Sequence, residues 1–252
     1  MRKCLPGLMN TINKGGVVFA FIVKGFSQTA SFRVPESHTF QQTLPLPPVT
    51  ALTGLMGAAV GLDFESAMKF RKQNNILFGV IGSYKGEMKD LWKYNKIKSK
   101  ESLKDVLIRE FLTDFSITIA IASEYQAVLS ELRECFCNPK YALTLGNSDD
   151  LFKITYVSPV VKAENVECST FENTVLAGDK TLEYESAIDL KNTPITYRVR
   201  APQVFILPTA FTFKGEERRV SKREQFTFVG SPIRLKNPLS VYKIDDTTFY
   251  LL

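Results

Sequence analysis

Leu112-Thr-Asp-Phe-Ser-Ile-Thr-Ile-Ala-Ile-Ala122 decides how this chain reads. Phe115, Ile117, Ile119 and Ile121 fall at every second position, with Ser116 and Thr118 between them. Alternation of that period places the two sets on opposite faces of a pleated strand. Directly after it, Ser123 followed three residues later by Gln126 has the form of a capping box. Tyr125, Val128, Leu129, Leu132, Cys135 and Phe136 then recur at helical spacing, and Asn138-Pro139 ends the helix.

Upstream, Val17–Lys24 is apolar at both parities, the mark of a strand covered on both faces. Residues 25–47 lack a period, are rich in Ser, Thr, Gln and Pro, and read as a long loop. Pro47 and Pro48 forbid a helix before them, and Thr50 is the expected N-cap of the segment that follows. Leu52–Leu62 reads as a helix despite Gly54, Gly57 and Gly61. Each interior glycine costs about 1 kcal/mol relative to alanine, so close packing on a sheet is the expected compensation. Phe64–Gln73 extends the helical region, and Ile76–Tyr84 and Leu151–Val157 read as strands. The order is strand, helix, strand, basic insertion, strand, helix, strand. That predicts an α+β fold: a ferredoxin-like or RRM-like split βαβ domain over residues 1–157, interrupted at about 85–110. Residues 158–252, where short Thr-, Tyr-, Phe- and Val-rich runs alternate with Pro and Gly, are expected to form a small β-rich C-terminal domain.

Composition removes several classes. With 44% hydrophobic and 23% charged residues in 252, the chain can bury a core and is not a disordered one. The net charge of +6 is unevenly placed. Residues 1–111 carry 16 Lys and Arg against 8 Asp and Glu, and 192–252 carry 10 against 5. Residues 149–191 carry 4 against 9, so two basic regions flank an acidic stretch, as suits an anionic partner held at a defined place. Cys4, Cys135, Cys137 and Cys168 lack the spacing of a zinc site and read as reduced thiols of a cytoplasmic protein. Arg2, Lys3 and the seven-residue apolar run from Val17 imitate a secretory signal, but Gly15, Gly16 and Lys24 interrupt it, and no membrane segment is expected. No Walker A, Rossmann or nucleophile-elbow motif is present, and no cofactor or metal is expected; Asp149-Asp150 reads as a solvated turn.

The insertion holds Lys85, Lys89, Lys93, Lys96, Lys98, Lys100, Lys104 and Arg109, with Trp92 and Tyr94 interleaved. Ammonium and guanidinium groups neutralise phosphates and aromatic rings stack on bases, so this is the candidate nucleic-acid site. Glu87, Asp90, Glu101 and Asp105 leave room for a plain solvated surface element instead. A second cluster comprises Lys214, Arg218, Arg219, Lys222 and Arg223. His38 is the one imidazole and the one side chain that titrates near neutrality unaided.

Three segments together resemble a known family: Gly25-Phe-Ser-Gln-Thr-Ala-Ser-Phe-Arg33, Thr43-Leu-Pro-Leu-Pro-Pro-Val-Thr-Ala-Leu-Thr-Gly-Leu-Met-Gly-Ala-Ala-Val-Gly-Leu62 and Tyr141-Ala-Leu-Thr-Leu-Gly-Asn-Ser-Asp-Asp150. The resemblance is to the Cas-five family, the CRISPR-associated subunit that caps the 5′ end of guide RNA in type I Cascade complexes. It covers about residues 17–157 in motif and the whole chain in layout. It implies an RRM-like domain with a β-hairpin thumb inserted between its second and third strands, where the basic insertion falls. It implies a non-catalytic prokaryotic RNA-binding subunit. Its partners would be the crRNA 5′ handle, the Cascade backbone and large subunits and, indirectly, target DNA in antiviral defence. By position, Lys24, Gly25, Ser27, Ser31 and Arg33 would meet RNA, as would Thr50 and, in the thumb, Lys85, Lys89, Trp92, Lys93, Tyr94, Lys96 and Lys98. Tyr141, Gly146 and Asn147 would lie at the same edge. One branch of the family is a metal-independent endoribonuclease that processes precursor crRNA with Tyr, Lys and His; here only His38, with Tyr84 and Lys85, offers those groups. A third reading is a ferredoxin-like protein-interaction module.

Overall fold

The run at 112–122 lies inside a 23-residue strand, and the rest of the sheet is laid down on either side of it. The computed structural model describes residues 16–252 apart from 38–39, 99–100, 190, 192–193, 195–196 and 216; for 95–98 and 101–103 it describes the backbone alone. Arg2, Lys3, Cys4 and His38 lie outside the described residues.

In chain order the first elements are β1 (Phe19–Ala30), β2 (Phe32–Arg33), β3 (Phe40–Gln41) and β4 (Thr43–Leu44). The helices α1 (Val49–Val60) and α2 (Phe64–Gln73) follow, then β5 (Leu77–Ser83), β6 (Gly86–Lys98), β7 (Glu101–Ser123), α3 (Gln126–Cys137) and β8 (Lys153–Val157). The remainder is β9 (Val161–Lys162), β10 (Glu164–Phe171), β11 (Thr174–Ala177), β12 (Tyr184–Ser186), β13 (Gln203–Lys214), β14 (Glu217–Val229), β15 (Ile233–Ile244) and β16 (Thr247–Phe249). The large sheet runs β13-β14-β11-β5-β7-β1-β8, with β6 and β3 also on β7 and β9 on β1. β3 on β7 is its parallel pair; the others are antiparallel. A second sheet runs β10-β15-β12 with β16 on β15, and β2 pairs with β4.

One face of the large sheet carries the helices. Phe21 and Val23 of β1, Phe115, Ile117, Ile119 and Ile121 of β7, and Phe78 and Val80 of β5 pack on Leu52, Leu55 and Met56 of α1 and on Leu129, Leu132 and Phe136 of α3. Each such side chain stabilises by about 1.5–3 kcal/mol on burial. The opposite face is covered only in part. Ala20, Ile22, Ala120 and Ala122 meet Ile244 and Phe249 of the second sheet, and a Cβ on Gly79 would run into the Phe249 side chain. Small residues at these positions let the second sheet approach.

Several expectations are corrected. Residues 25–30 are not loop but the second half of β1, with Gly25, Ser27 and Ala30 inward and Lys24, Phe26 and Gln28 outward. The inward residues are small because β8 crosses close by: a Cβ on Gly25 would collide with the Phe152 ring and the Lys153 carbonyl. Alternation is therefore present without an apolar signal. β2, β3 and β4 occupy part of the remaining stretch to 47. Thr50 does not cap α1. The helix opens at Val49 after Pro48, whose carbonyl accepts from the amides of Ala51 (2.9 Å) and Leu52 (3.1 Å) and whose ring offers no cap. Nor does Ser123 form a capping box: its hydroxyl donates to the Asn74 carbonyl (2.6 Å) and accepts from the Tyr125 amide (3.1 Å), and α3 begins at Gln126. The last strand of the 151–157 run starts at Lys153, since Leu151 bridges back to Thr144. Residues 158–252 contribute β11, β13 and β14 to the large sheet as well as building the second one. Among the described residues no helix is long and apolar enough to cross a membrane.

The 144–150 loop is clasped to the end of β1. The Ser31 amide donates to the Leu145 carbonyl (3.0 Å), Thr29 Oγ1 donates to Asp150 Oδ1 (2.6 Å), and Asp150 Oδ2 accepts from the Asn147 amide (3.0 Å). Gly146 sits between them at φ +120°, where a Cβ would run into the Ser31 carbonyl. Gly146→Ala is expected to cost more than the roughly 1–3 kcal/mol of backbone strain alone, because the clasp must also open. At ~2–4 °C per kcal/mol this is a fall of several degrees in the thermal midpoint, and an unchanged midpoint would mean the clasp does not hold the loop.

Candidate nucleic-acid interface

The basic insertion is a two-stranded arm. β6 and β7 pair from Gly86↔Thr113 to Lys98↔Glu101, while β1 leaves β7 at Ala30↔Leu112. The arm therefore extends about 37 Å past the sheet, at ~3.4 Å per residue, with only the two-residue β3 beside it near the root. Paired residues share a face. On one face Arg109 is the hub: Nε and Nη2 donate to the two carboxylate oxygens of Asp90 (3.2 and 2.9 Å), and Nη2 also reaches Asp149 (3.3 Å). Its guanidinium lies 5.8 Å from the Trp92 ring centre, and the Tyr94 hydroxyl donates to Asp105 (3.0 Å). The hydrogen bond to Asp90 raises the guanidinium pKa most, against burial, with Asp149 adding to it, so the charge is fixed. On the other face Leu91, 71% exposed, stands beside Ile108 and Val106. Lys89 lies 3.6 Å from Glu110 and 4.9 Å over the Phe40 ring, and Lys85 lies 3.4 Å from Asp114. Lys93 is exposed; the side chains of Lys96 and Lys98 lie outside the described residues.

The segment Lys24–Arg33 divides by parity. Lys24 and Arg33 point to solvent, and Arg33 Nη2 donates to the Ser37 carbonyl (3.2 Å). Gly25 and Ser27 face inward, and Ser31 is buried with its hydroxyl on the Glu110 carbonyl (2.9 Å). Gly146 and Asn147 belong to the clasp, so they hold the root of the arm through Asp149 and Asp150. Both aspartates are thereby hydrogen-bonded, and among the described residues no group of three His, Cys, Asp or Glu side chains converges. Thr50 is half-buried beside a cleft it shares with Phe32, Gly54, Thr144 and Gly146. Tyr141 is apart from the arm, 61% exposed, in a groove between the end of α3 and β8 that Tyr156 also lines. In the second cluster Arg218 lies over Phe64 (4.9 Å) and Phe211 (5.1 Å), Arg223 pairs with Glu36 (2.6 Å), and Arg219 and Lys222 pair with Glu217 and Glu224.

Three residues escaped the sequence reading. Phe26, Lys153 and Tyr156 lie beside Lys24 on the outward face, with Lys24 Nζ 5.7 Å from the Tyr156 ring and Lys153 Nζ 5.7 Å from that of Phe26. For Phe26 a signal is present in the period-2 placement of Lys24, Phe26 and Gln28, but the inward Gly25 and Ser27 between them give no apolar alternation.

Tyr84 is engaged through both its ring and its hydroxyl. The Arg200 guanidinium covers its ring at 3.9 Å and its hydroxyl donates to Glu87 (2.7 Å). Burial first, and then the Glu87 bond, push its pKa up to about 12. A raised folded pKa favours the protonated phenol, so its contribution to stability is present below the ordinary value of 10.0 and lost as pH rises toward about 12. Ultraviolet titration of Tyr84→Phe against the wild type should remove a phenol ionising near 12; loss of one ionising near 10 would overturn this placement.

The family profile described as CRISPR-associated protein (Cas_Cas5) matches residues 21–210. The chain belongs to that family. A solved "CRISPR RNA-guided surveillance complex" chain is similar at TM-score 0.51 and 14% identity, over 87% of this chain and 91% of that one. A CRISPR protein from Archaeoglobus fulgidus is similar at TM-score 0.50 and 8% identity, over 92% and 98%. A structure described as "Crystal structure of Cas protein" matches at 21% identity and TM-score 0.36 over 52% of this chain, spanning 58% of that chain's length. The first two are likenesses of fold. A search of curated proteins finds no match.

Proposed function

We propose that this chain is a non-catalytic RNA-binding subunit of a type I CRISPR Cascade complex. In this reading it caps the 5′ handle of the crRNA and docks against the backbone and large subunits. The observation that carries the reading is the projecting β6–β7 arm, a basic and aromatic hairpin on a member of a CRISPR-associated family. Its width and its Lys89, Lys93, Trp92 and Tyr94 suit a thumb that reaches along single-stranded RNA. An RRM-like domain is supported by the strand order β5-β7-β1-β8 with all three helices on one face. The non-catalytic part of the reading follows the pattern of the sequence, where Tyr84, Lys85 and His38 are the groups that would have to act; in the structure the Tyr84 ring and hydroxyl are engaged by Arg200 and Glu87. A capping subunit needs one long-lived contact with one RNA end, which stacking and phosphate neutralisation supply without an acid or base.

End-labelled CRISPR repeat RNA incubated with the purified protein in EDTA is expected to be bound and to remain intact. Defined cleavage that disappears in His38→Ala would overturn the non-catalytic role. Affinity for handle RNA should fall linearly in log K against log salt, which a protein-interaction module would not show. Lys93→Glu combined with Trp92→Ala should weaken that affinity roughly tenfold or more; an unchanged affinity would remove the arm from the interface.

A further inference from the structure

The face of the large sheet opposite the helices is roofed only at one end. Ala20, Ile22, Ala120 and Ala122 lie under the second sheet, but the next residues of the same parity, Lys24, Phe26, Ser116 and Thr118, have no such roof. Registers align them in rows: Lys24 between Tyr156 and Thr118, and Phe26 between Lys153 and Ser116. Phe26 is 41% exposed and Tyr156 46%, an unusual pair of large rings to leave on a sheet. Each ring has an ammonium 5.7 Å from its centre, and the two lysines come from opposite strands, so ring and charge alternate across the rows. A register shift between Lys24 and Gly25 places Thr155 as the extra residue of β8, its hydroxyl donating to the Lys24 carbonyl (3.2 Å). Such bulges re-aim neighbouring side chains.

Charge separates this surface from the arm. Lys85, Lys89 and Arg109 each have a carboxylate partner on their own hairpin or at its root. Among the described residues Lys24 and Lys153 form no ion pair, and no acidic side chain lies among the residues that line the depression beside them. Two ring faces with two uncompensated cations and hydroxyls from Ser116 and Thr118 match a base with its phosphate, repeated. A protein partner would instead ask for an apolar centre with a polar rim.

We infer that the uncovered patch formed by Lys24, Phe26, Lys153 and Tyr156 is a second RNA-contacting surface, which stacks two unpaired nucleotides while its lysines hold their phosphates. The inference rests on the proposed RNA-binding role and adds a site to it. Successive nucleotides would reach the patch from the root of the arm along β1, since Lys24 and Thr29 are five strand residues apart, about 17 Å. The patch accepts unpaired bases only, because a duplex hides the ring faces.

The test is equilibrium binding of the full-length protein to a fluorescently labelled single-stranded RNA of handle sequence, with single-stranded DNA of the same sequence and duplex RNA beside it. Phe26→Ala and Tyr156→Ala should each weaken single-stranded RNA binding by roughly 5- to 100-fold, the range for losing one stacked base, and Tyr156→Phe should bind like the wild type. Circular dichroism and thermal midpoints of the variants should match the wild type, since both rings are outside the core. Wild-type affinity in both alanine variants would overturn the patch while leaving the arm's role intact. Equal loss of duplex binding would overturn it as well, by showing plain charge attraction. No RNA affinity in the wild type would sink the patch and the proposed function together. Equal loss for the DNA strand would show that the rings read bases regardless of sugar, which supports the stacking itself.

Discussion

Everything on this molecule is positioned by the ladder between β1 and β7. Its register, Phe21 opposite Ile121, Val23 opposite Ile119 and Gly25 opposite Ile117, sends one parity of both strands under the helices. The other parity, from Ala20 to Phe26, then has to serve two purposes. Where it carries alanine, isoleucine and glycine neighbours it accepts the second sheet; where it carries lysine and phenylalanine it meets solvent. A slip of one residue would put Lys24 and Phe26 beneath α3 and turn Phe21 and Val23 outward. Burying an unpaired ammonium in that core costs several kcal/mol, so the register that makes the core also makes the outward surface.

The same ladder fixes the arm. β7 is long enough to pair with β1, β5 and then, past Leu112, with β6, joined only by the two-residue β3 at Ile108 and Arg109. A two-stranded ribbon is marginal by itself in water. Here its root is anchored by Arg109, which joins Asp90 on β6 to Asp149 in the clasped loop that also holds Thr29 and Ser31. The conspicuous Leu-Gly-Asn-Ser-Asp-Asp run is thereby explained by mechanics: a glycine where no Cβ fits, an asparagine and aspartate that close the turn, and one carboxylate left to reach the arm.

Strong periodicity was legible and weak periodicity was not. α2 spans Phe64–Gln73, where the helical region is expected to extend, and the Ile run of β7 lies where alternation puts it. Residues 25–30 hid because the helix-facing positions hold Gly25, Ser27 and Ala30, and hydrophobicity cannot report a core position that close packing restricts to small residues. Ser123 and Thr50 misled for a related reason. Both match a cap pattern in sequence, but Ser123 bonds to the Asn74 carbonyl, 49 residues away, and Pro48 already fixes the turn before α1. Tertiary partners outcompeted the local motif. Tyr156 and Lys153 could not be found from spacing at all, because their significance depends on which residues β8 lies beside.

Basic residues are abundant in this chain, and abundance alone does not separate a ligand surface from a solvated one. Pairing does. Lys69 with Glu65 and Arg219 with Glu217 are exposed ion pairs whose fields largely cancel within a few ångströms, worth little to stability and little to a distant phosphate. A lysine with a ring rather than a carboxylate beside it keeps its field and also keeps its position, since the ring attracts the ammonium without neutralising it. By that criterion the arm and the sheet face differ in kind. The arm presents apolar Leu91, Ile108 and Val106 with lysines that are mostly neutralised near its root, which favours insertion and shape. The face around Lys24 and Lys153 presents ammonium groups over exposed rings with no carboxylate partner among the described residues, which favours holding a flexible anionic strand in place.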